Sequence, residues 1–430
     1  MGSVQTLLLP AVVTRRFEVA VLVLGALLVL GALTSGLERR SVLSLSTVFV
    51  IVGFVLGPGV TGALRFDARS TFVSDLATVA LVVILFRDGL EVDGEMLQRH
   101  WHLPLRKLAL AMPLTAGIVA LAARGLSDLS WTECFLLGAL LSPTDPVLSS
   151  SVVTNPRVPA LVRHSLNLES GINDGLALPA VLALAAALQI GETHFVWWRF
   201  VLEDLSIGLG VGLLVGFAAS RLMARNVGVL EGVPPFQKAL YALGTAFAAY
   251  GVAVLIPHGN GLIAVFVAAI TLGIRRPDLR VYFARQGESF VAIVKLGIFV
   301  VFGSLLTFHG LFADGWAAVG IVAITLLLAR PLAVFAALAG TPTGTATKAF
   351  MAWFGPKGVA TMTFSLLILS EHLAAGTRIF NLAALAVFCS IILHGVTDTP
   401  GAEWIARRTA RAAGPTAASG RPSRRRGPDP

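Results

Sequence analysis

Charge is scarce in this chain of 430 residues: Asp, Glu, Lys and Arg make up 13% of it, about half the roughly 25% usual in soluble domains. That shortage excludes a solvated globular surface for most of the sequence. Cysteine is nearly missing as well, and Cys134 and Cys389 lack the spacing of a disulfide framework or a thiolate metal site. Short segments of alternating polarity, the mark of a membrane β-barrel, are absent. The eight His residues are scattered and form no paired motif with nucleophile or metal spacing, so neither an enzyme nor a resident cofactor is expected. The formal net charge is +9, but the basic residues lie between apolar blocks and not on one patch. Nucleic acid is therefore not an expected partner.

What is abundant is apolar sequence, at 56% of residues and a mean hydropathy of +0.81. It falls into blocks of about 17 to 25 residues, each long enough as a helix to cross a hydrocarbon core about 30 Å thick. The expected fold is all-α and polytopic, embedded in the lipid bilayer. About thirteen transmembrane helices are expected, at about 17–36, 42–60, 73–90, 103–123, 132–153, 163–189, 201–221, 237–256, 260–274, 286–308, 314–338, 346–370 and 379–397. Residues 1–16 form a short leading segment and 17–397 the transmembrane domain. The Arg-, Pro-, Gly- and Ser-rich residues 398–430 read as a basic disordered tail.

Loop charges test this count, because one missing helix would scramble their alternation. The loops on the side of the C-terminus carry twenty-two Lys and Arg, with Lys107 counted among them, and the opposite side carries seven. The C-terminus is thus expected in the cytoplasm and the N-terminus outside, in a multi-pass protein of the cell membrane. Four basic residues fall outside the loops: Arg87, Lys295, Arg330 and Lys357. With Asp88, Asp145, Glu169 and Asp174 they form a set of ionisable groups within or near the spans, where each costs roughly 2.5–3.5 kcal/mol at a helix centre.

Two spans are interrupted. In "LSPTDPV", Pro143 and Pro146 remove backbone donors on either side of Thr144 and Asp145, so the helix opens there. Irregular backbone at membrane depth is tolerated only where it is buried in protein or lines a cavity. A carboxylate among bare carbonyls and the hydroxyls of Ser142 and Thr144 suits a hard monovalent cation. In "AWFGPKGVATMT", Gly355, Pro356 and Gly358 break the twelfth span around Lys357. Paired interruptions seven spans apart point to inverted repeats with two crossed discontinuous helices. Asp145 would then neutralise exposed helix N-termini, and Lys357 would do the same for C-termini.

Between them, "LNLESGINDGLALP" places Glu169 with Asn173, and Ser170 with Asp174, at four-residue spacing on one helix face. Arg330, followed by Pro331, needs a bidentate acceptor if buried, and Glu169 is the expected partner in a structural ion pair. That leaves Asp174 for exchange chemistry.

With Thr144-Asp145-Pro146, Glu169-Ser170, Asn173-Asp174, Arg330-Pro331 and the Gly-Pro-Lys-Gly break in view, the chain resembles the monovalent cation/proton antiporters, in their NhaP-type sodium/proton exchanger branch. The resemblance covers roughly residues 17–397. It implies a homodimer in which a core bundle, about 103–189 and 314–397, moves against a scaffold, about 17–92 and 201–308. It further implies that Asp174 binds either a proton or a cation, sodium first and potassium or lithium next, with help from Asp145, the Thr144 backbone and Ser170. An Asn at 173 in place of a second Asp implies electroneutral exchange, serving pH and cation homeostasis. The chain departs from the pattern at Arg87-Asp88, where relatives often carry a Glu. It departs again at Lys295, which would compete with the cation, pair with Asp88 or extend to the interface. A cation-coupled symporter of an organic anion and an uncoupled channel or membrane sensor are the rival readings.

Overall fold

A computed structural model describes residues 45–92, 102–145, 158–190, 195–223 and 233–412, with isolated positions at 22, 25, 26, 29 and 152. The described residues form helices joined by short connections and no strand. In chain order these are α1 (Leu45–Leu56), α2 (Thr71–Glu91), α3 (His102–Leu126), α4 (Trp131–Leu141), α5 (Ala160–Ile190), α6 (Trp197–Leu222) and α7 (Pro235–Leu255). Beyond them come α8 (Gly261–Arg275), α9 (Pro277–Ser304), α10 (Gly315–Ala337), α11 (Thr345–Trp353), α12 (Val359–Ser370) and α13 (Gly376–Ala412). Seven of them are long and apolar enough to cross a membrane unaided, and shorter apolar helices accompany them.

Every expected span that falls on described residues has a helix, and the two expected breaks fall at the C-terminal end of α4 and between α11 and α12. The first expected span, residues 17–36, lies outside the described residues apart from isolated positions, and so do residues 1–16, Pro146 and residues 413–430. One boundary differs. Residues 398–412, read above as disordered tail, continue α13, because Ala402 and Ile405 on the helical period are buried with Phe350, Met351 and Phe354 of the α11 end. Apolar contact on one face and the Glu403–Arg407 pair on the other outweigh the polar composition.

Packing sorts the helices into two neighbourhoods. The first holds α3, α4 and α5 with α10 to α13; in the second α6, α7 and α8 pack on one another and α1 packs on α9. They meet along α2, which lies against α8 on one side and against α5 and α12 on the other. The breaks are therefore held deep in protein, where their open backbone can be paired.

Candidate functional site

α4 starts from a capping box, in which Ser130 Oγ accepts from Glu133 N at 3.3 Å and Glu133 Oε2 accepts from Ser130 N at 2.8 Å. It stops at Leu141, and Ser142 to Asp145 run without helical hydrogen bonding, as Pro143 requires. α11 stops at Trp353 and α12 starts at Val359, with residues 354–358 between them. The two gaps cross in contact, for Asp145 N donates to Pro356 O at 2.8 Å. No side chain fits at the crossing: a Cβ on Gly358 would overlap Asp145, and one on Gly355 would overlap the Arg330 guanidinium.

The open helix ends are answered in kind. Lys357 Nζ donates to Pro143 O at 3.3 Å and Ser142 O at 3.5 Å, and Thr361 Oγ1 donates to Leu140 O at 3.1 Å, so the carbonyl end of α4 is met by a cation and a hydroxyl. In return Val359 N donates to Asp145 Oδ2 at 3.4 Å, which sets a carboxylate at the amide end of α12. Both placements match the sign of the partial charge exposed by a helix terminus.

α5 supplies the third wall. Asn173 Nδ2 donates to Thr144 O at 2.7 Å and to Thr144 Oγ1 at 3.2 Å, which pins α5 to the first gap, with the amide orientation assigned from this network. Two buried oxygens on successive residues then have no hydrogen-bond partner among the described residues, Asn173 Oδ1 and Asp174 Oδ1. Asp174 is 6% exposed. Ser170 is half-buried one turn earlier on the same face. Thr144, Asp145, Ser170, Asn173 and Asp174 thus offer only oxygen to a cation, except for the Asn173 amide nitrogen already spent on Thr144.

Glu169, five residues before Asp174, has the opposite surroundings. Its carboxylate accepts from Arg330 Nη1 at 2.8 Å, from Arg330 Nη2 at 3.3 Å and from Lys107 Nζ at 2.6 Å. Arg330 also reaches Thr144 Oγ1 at 3.4 Å, Met351 O at 3.3 Å and Phe354 O at 3.4 Å, so one guanidinium joins α5, the first gap and the carbonyl end of α11.

Lys107 is the residue that sequence reasoning missed, having been counted as a loop charge. It is buried, 1% exposed, and donates to Ser165 O at 3.3 Å as well as to Glu169. Moving it from the loop count leaves the charge asymmetry intact. Its setting resembles that of Arg330 in the structure: Lys107 opens a π turn, Lys107–Ala111, just before Met112-Pro113, and Arg330 comes directly after a π turn, Thr325–Ala329, just before Pro331. A proline lacks an amide and crowds the carbonyl four residues back, and widening the preceding turn relieves that crowding. Both cations of Glu169 are delivered by this device.

On α2, Arg87 Nε and Nη2 both reach Asp88 Oδ1, at 2.8 and 2.5 Å. The carboxylate of Asp88 is therefore taken by its neighbour, and its buried position, 2% exposed, is inside the protein and not at an interface. No pairing of Lys295 with Asp88 is made among the described residues; Lys295 stands half-buried on α9. The Asp88 carbonyl lies 3.6 Å from where a Cβ on Gly171 would sit, so α2 approaches α5 one turn from Asp174. A cavity of about 430 Å³ lined by Glu91, Asn167, Leu168, Gly171, Arg280 and Arg285 runs along that same face of α5.

Comparison with known proteins identifies the family and the fold. The K(+)/H(+) antiporter NhaP of Alkalimonas amylolytica is 26% identical over 413 residues, covering 93% of this chain and 69% of its own length. The K(+)/H(+) antiporter NhaP2 of Shewanella oneidensis is 25% identical over 382 residues, covering 88% of this chain and 66% of its own length. The chain thus spans about two thirds of the length of these relatives. The sodium proton antiporter MjNhaP1 from Methanocaldococcus jannaschii, solved at pH 8, shares the fold with a TM-score of 0.76 at 19% identity, over 91% of this chain and 99% of that one. The family model for the transmembrane part of sodium/hydrogen exchangers matches residues 23–404, nearly the whole apolar sequence, and the chain belongs to that family of transporters.

Proposed function

We propose that the protein is a secondary antiporter that exchanges a monovalent cation for protons at Asp174. The observation that carries this reading is the buried Asp174 Oδ1, which has no partner among the described residues, in a cluster whose other carboxylates are engaged. A carboxylate in that position is costly in low dielectric unless a proton or a cation joins it. Proton and cation therefore compete for one group, and the empty charged form does not cross; that penalty couples the two fluxes. Asp145, Ser170 and the oxygens of Thr144 and Asn173 complete the cation's surroundings, while Glu169 and Arg330 serve as a structural pair. The cavity that Gly171 lines, three residues before Asp174, is taken as the access route from one side.

The cation is sodium or potassium, the two carried in the names of the similar proteins, with lithium as a further candidate. The single unpaired acid and the neutral Asn173 support one-for-one exchange. The functional unit is a homodimer in the cell membrane with the C-terminus in the cytoplasm, as the loop charges support, and the α3–α5 and α10–α13 bundle moves against the remaining helices.

Proteoliposomes with an imposed pH gradient test this reading. Addition of sodium, potassium or lithium in turn should dissipate the gradient, at a rate indifferent to a clamped membrane potential. Asp174→Asn should reduce the rate to that of empty vesicles, and retained exchange in this variant would remove Asp174 from the mechanism.

A further inference from the structure

The crossing has a back as well as a front. Asp145 and Arg330 engage the second gap from the side of the first gap and of α10. α13 packs against it too, and there the Lys357 amide and the Trp353 carbonyl, which also accepts from Gly355 N at 3.0 Å, meet two side chains. Lys357 N donates to Ser390 Oγ at 2.8 Å. Ser390 Oγ is 3.1 Å from His394 Nδ1, and His394 Nε2 is 3.0 Å from Trp353 O, at the carbonyl end of α11. Nδ1 also lies 2.8 Å from the Ser390 carbonyl. Both residues are buried, Ser390 at 0% and His394 at 3% exposed.

One tautomer completes a chain of donors and acceptors. With its proton on Nε2, His394 donates to Trp353 O and accepts at Nδ1 from the Ser390 hydroxyl, whose oxygen accepts the Lys357 amide; with its proton on Nδ1 it donates to the Ser390 carbonyl instead, and the gap is then held from α13 by the Lys357–Ser390 bond. The chain spans the gap from its first residue's neighbour, Trp353, to Lys357, and so fixes the distance between the end of α11 and the residue whose ammonium caps α4. One turn further along α13, Thr397 Oγ1 accepts from Trp353 Nε1 at 3.0 Å, which seats the same tryptophan a second time.

We propose that Ser390 and His394 are positioning residues of the exchange site, holding the second gap from α13 so that Lys357 meets the carbonyl end of α4 in register. This inference rests on the exchange reading for its transport consequence, but not for its structural one. The logic is one of charge. A brace made of ions on this side would disturb the balance of Asp145 against Lys357, whereas a hydroxyl and a neutral imidazole satisfy buried backbone without adding charge. The brace also links the gap to α13, so any movement of the bundle carries the gap with it as one body.

The test combines transport with backbone hydrogen exchange. Ser390→Ala and His394→Leu should each raise the cation concentration for half-maximal exchange about three- to tenfold, the effect of one lost buried hydrogen bond. His394→Gln, which keeps one donor and one acceptor, should stay nearer the wild type. In a Lys357→Met background, Ser390→Ala should add little, because its effect runs through the lysine. Amide exchange of residues 354–358 should quicken in Ser390→Ala and His394→Leu and stay unchanged in α7. Wild-type half-saturation together with wild-type exchange of 354–358 would overturn the proposal, as would an equal shift in the Lys357→Met background. If His394→Leu does not fold, Ser390→Ala and His394→Gln carry the comparison. A wild-type protein inert to all three cations would defeat the exchange reading, and hydrogen exchange at 354–358 would still decide the brace.

Discussion

Glu169 and Asp174 are two carboxylates on one helix, within a turn and a half of each other and both buried, yet one is gripped by two cations and the other holds an oxygen with no partner among the described residues. The difference lies in the neighbouring elements. Glu169 faces α3 and α10, whose π turns deliver Lys107 and Arg330, while Asp174 faces the side of α2 and the first gap, where Arg87 is already committed to Asp88. A paired buried charge fixes structure, and an unpaired one awaits a mobile ion. Exchange needs both kinds, one to hold the gaps in register and one to be contested.

Substitution at the two positions should break the comparison in opposite directions. Asp174→Asn should abolish exchange while leaving the thermal midpoint of the purified protein equal or higher, because a neutral amide replaces a carboxylate without a partner. Glu169→Gln should do the converse first to stability. Lys107 and Arg330 would be left buried without the negative charge they share, a loss of about 3–5 kcal/mol for a broken buried pair. Thermal unfolding in detergent, read beside vesicle assays, separates the two; a Glu169→Gln protein as stable as the wild type would show that the triad is not what holds α5 in place.

How much of this was legible in the sequence depends on the kind of signal each feature leaves. Hydropathy located the described helices because burying backbone in lipid demands long apolar runs. Proline and glycine located the gaps because each acts on the backbone locally, and the mutual capping by Asp145 and Lys357 came from helix-end charge alone. Lys107 was lost because a lysine at the edge of an apolar run can face solvent or protein, and only the neighbour on α5 decides which. The α13 extension was lost for a related reason: Ala402 and Ile405 matter through the Phe350–Phe354 surface they cover, which the order of residues in that segment does not contain. The brace from Ser390 and His394 is of the same kind, since two small polar residues in an apolar helix gain meaning only from the backbone opposite.

The Lys107 arm of the triad should be the weaker one. Lys107→Met removes one charge and keeps an apolar stem of similar length, and Glu169 retains the fork of Arg330. The expected loss of stability is about 1–3 kcal/mol, below that of Glu169→Gln, with exchange slowed but present. An equal loss in the two variants would mean that the lysine, and not the arginine, sets the position of Glu169.

The smallest effect is expected where the same pairing stands in water. Asp128, in the connection before α4, is fully exposed and accepts from Arg378 Nη1 at 2.6 Å, while Arg378 also reaches Asp314. The Arg378 hydrogen bond, the Asp128 backbone and the arginine's charge hold the Asp128 carboxyl below its ordinary range. A depressed carboxyl contributes stability that is present above its unfolded value and lost as the pH falls through the folded one, so any contribution should vanish in acid. At neutral pH, solvent and salt screen the pair, and Asp128→Asn should change unfolding and exchange least of the series. Comparing Asp128→Asn with Glu169→Gln in low and high salt isolates burial as the variable: the first difference should shrink with salt and the second should not.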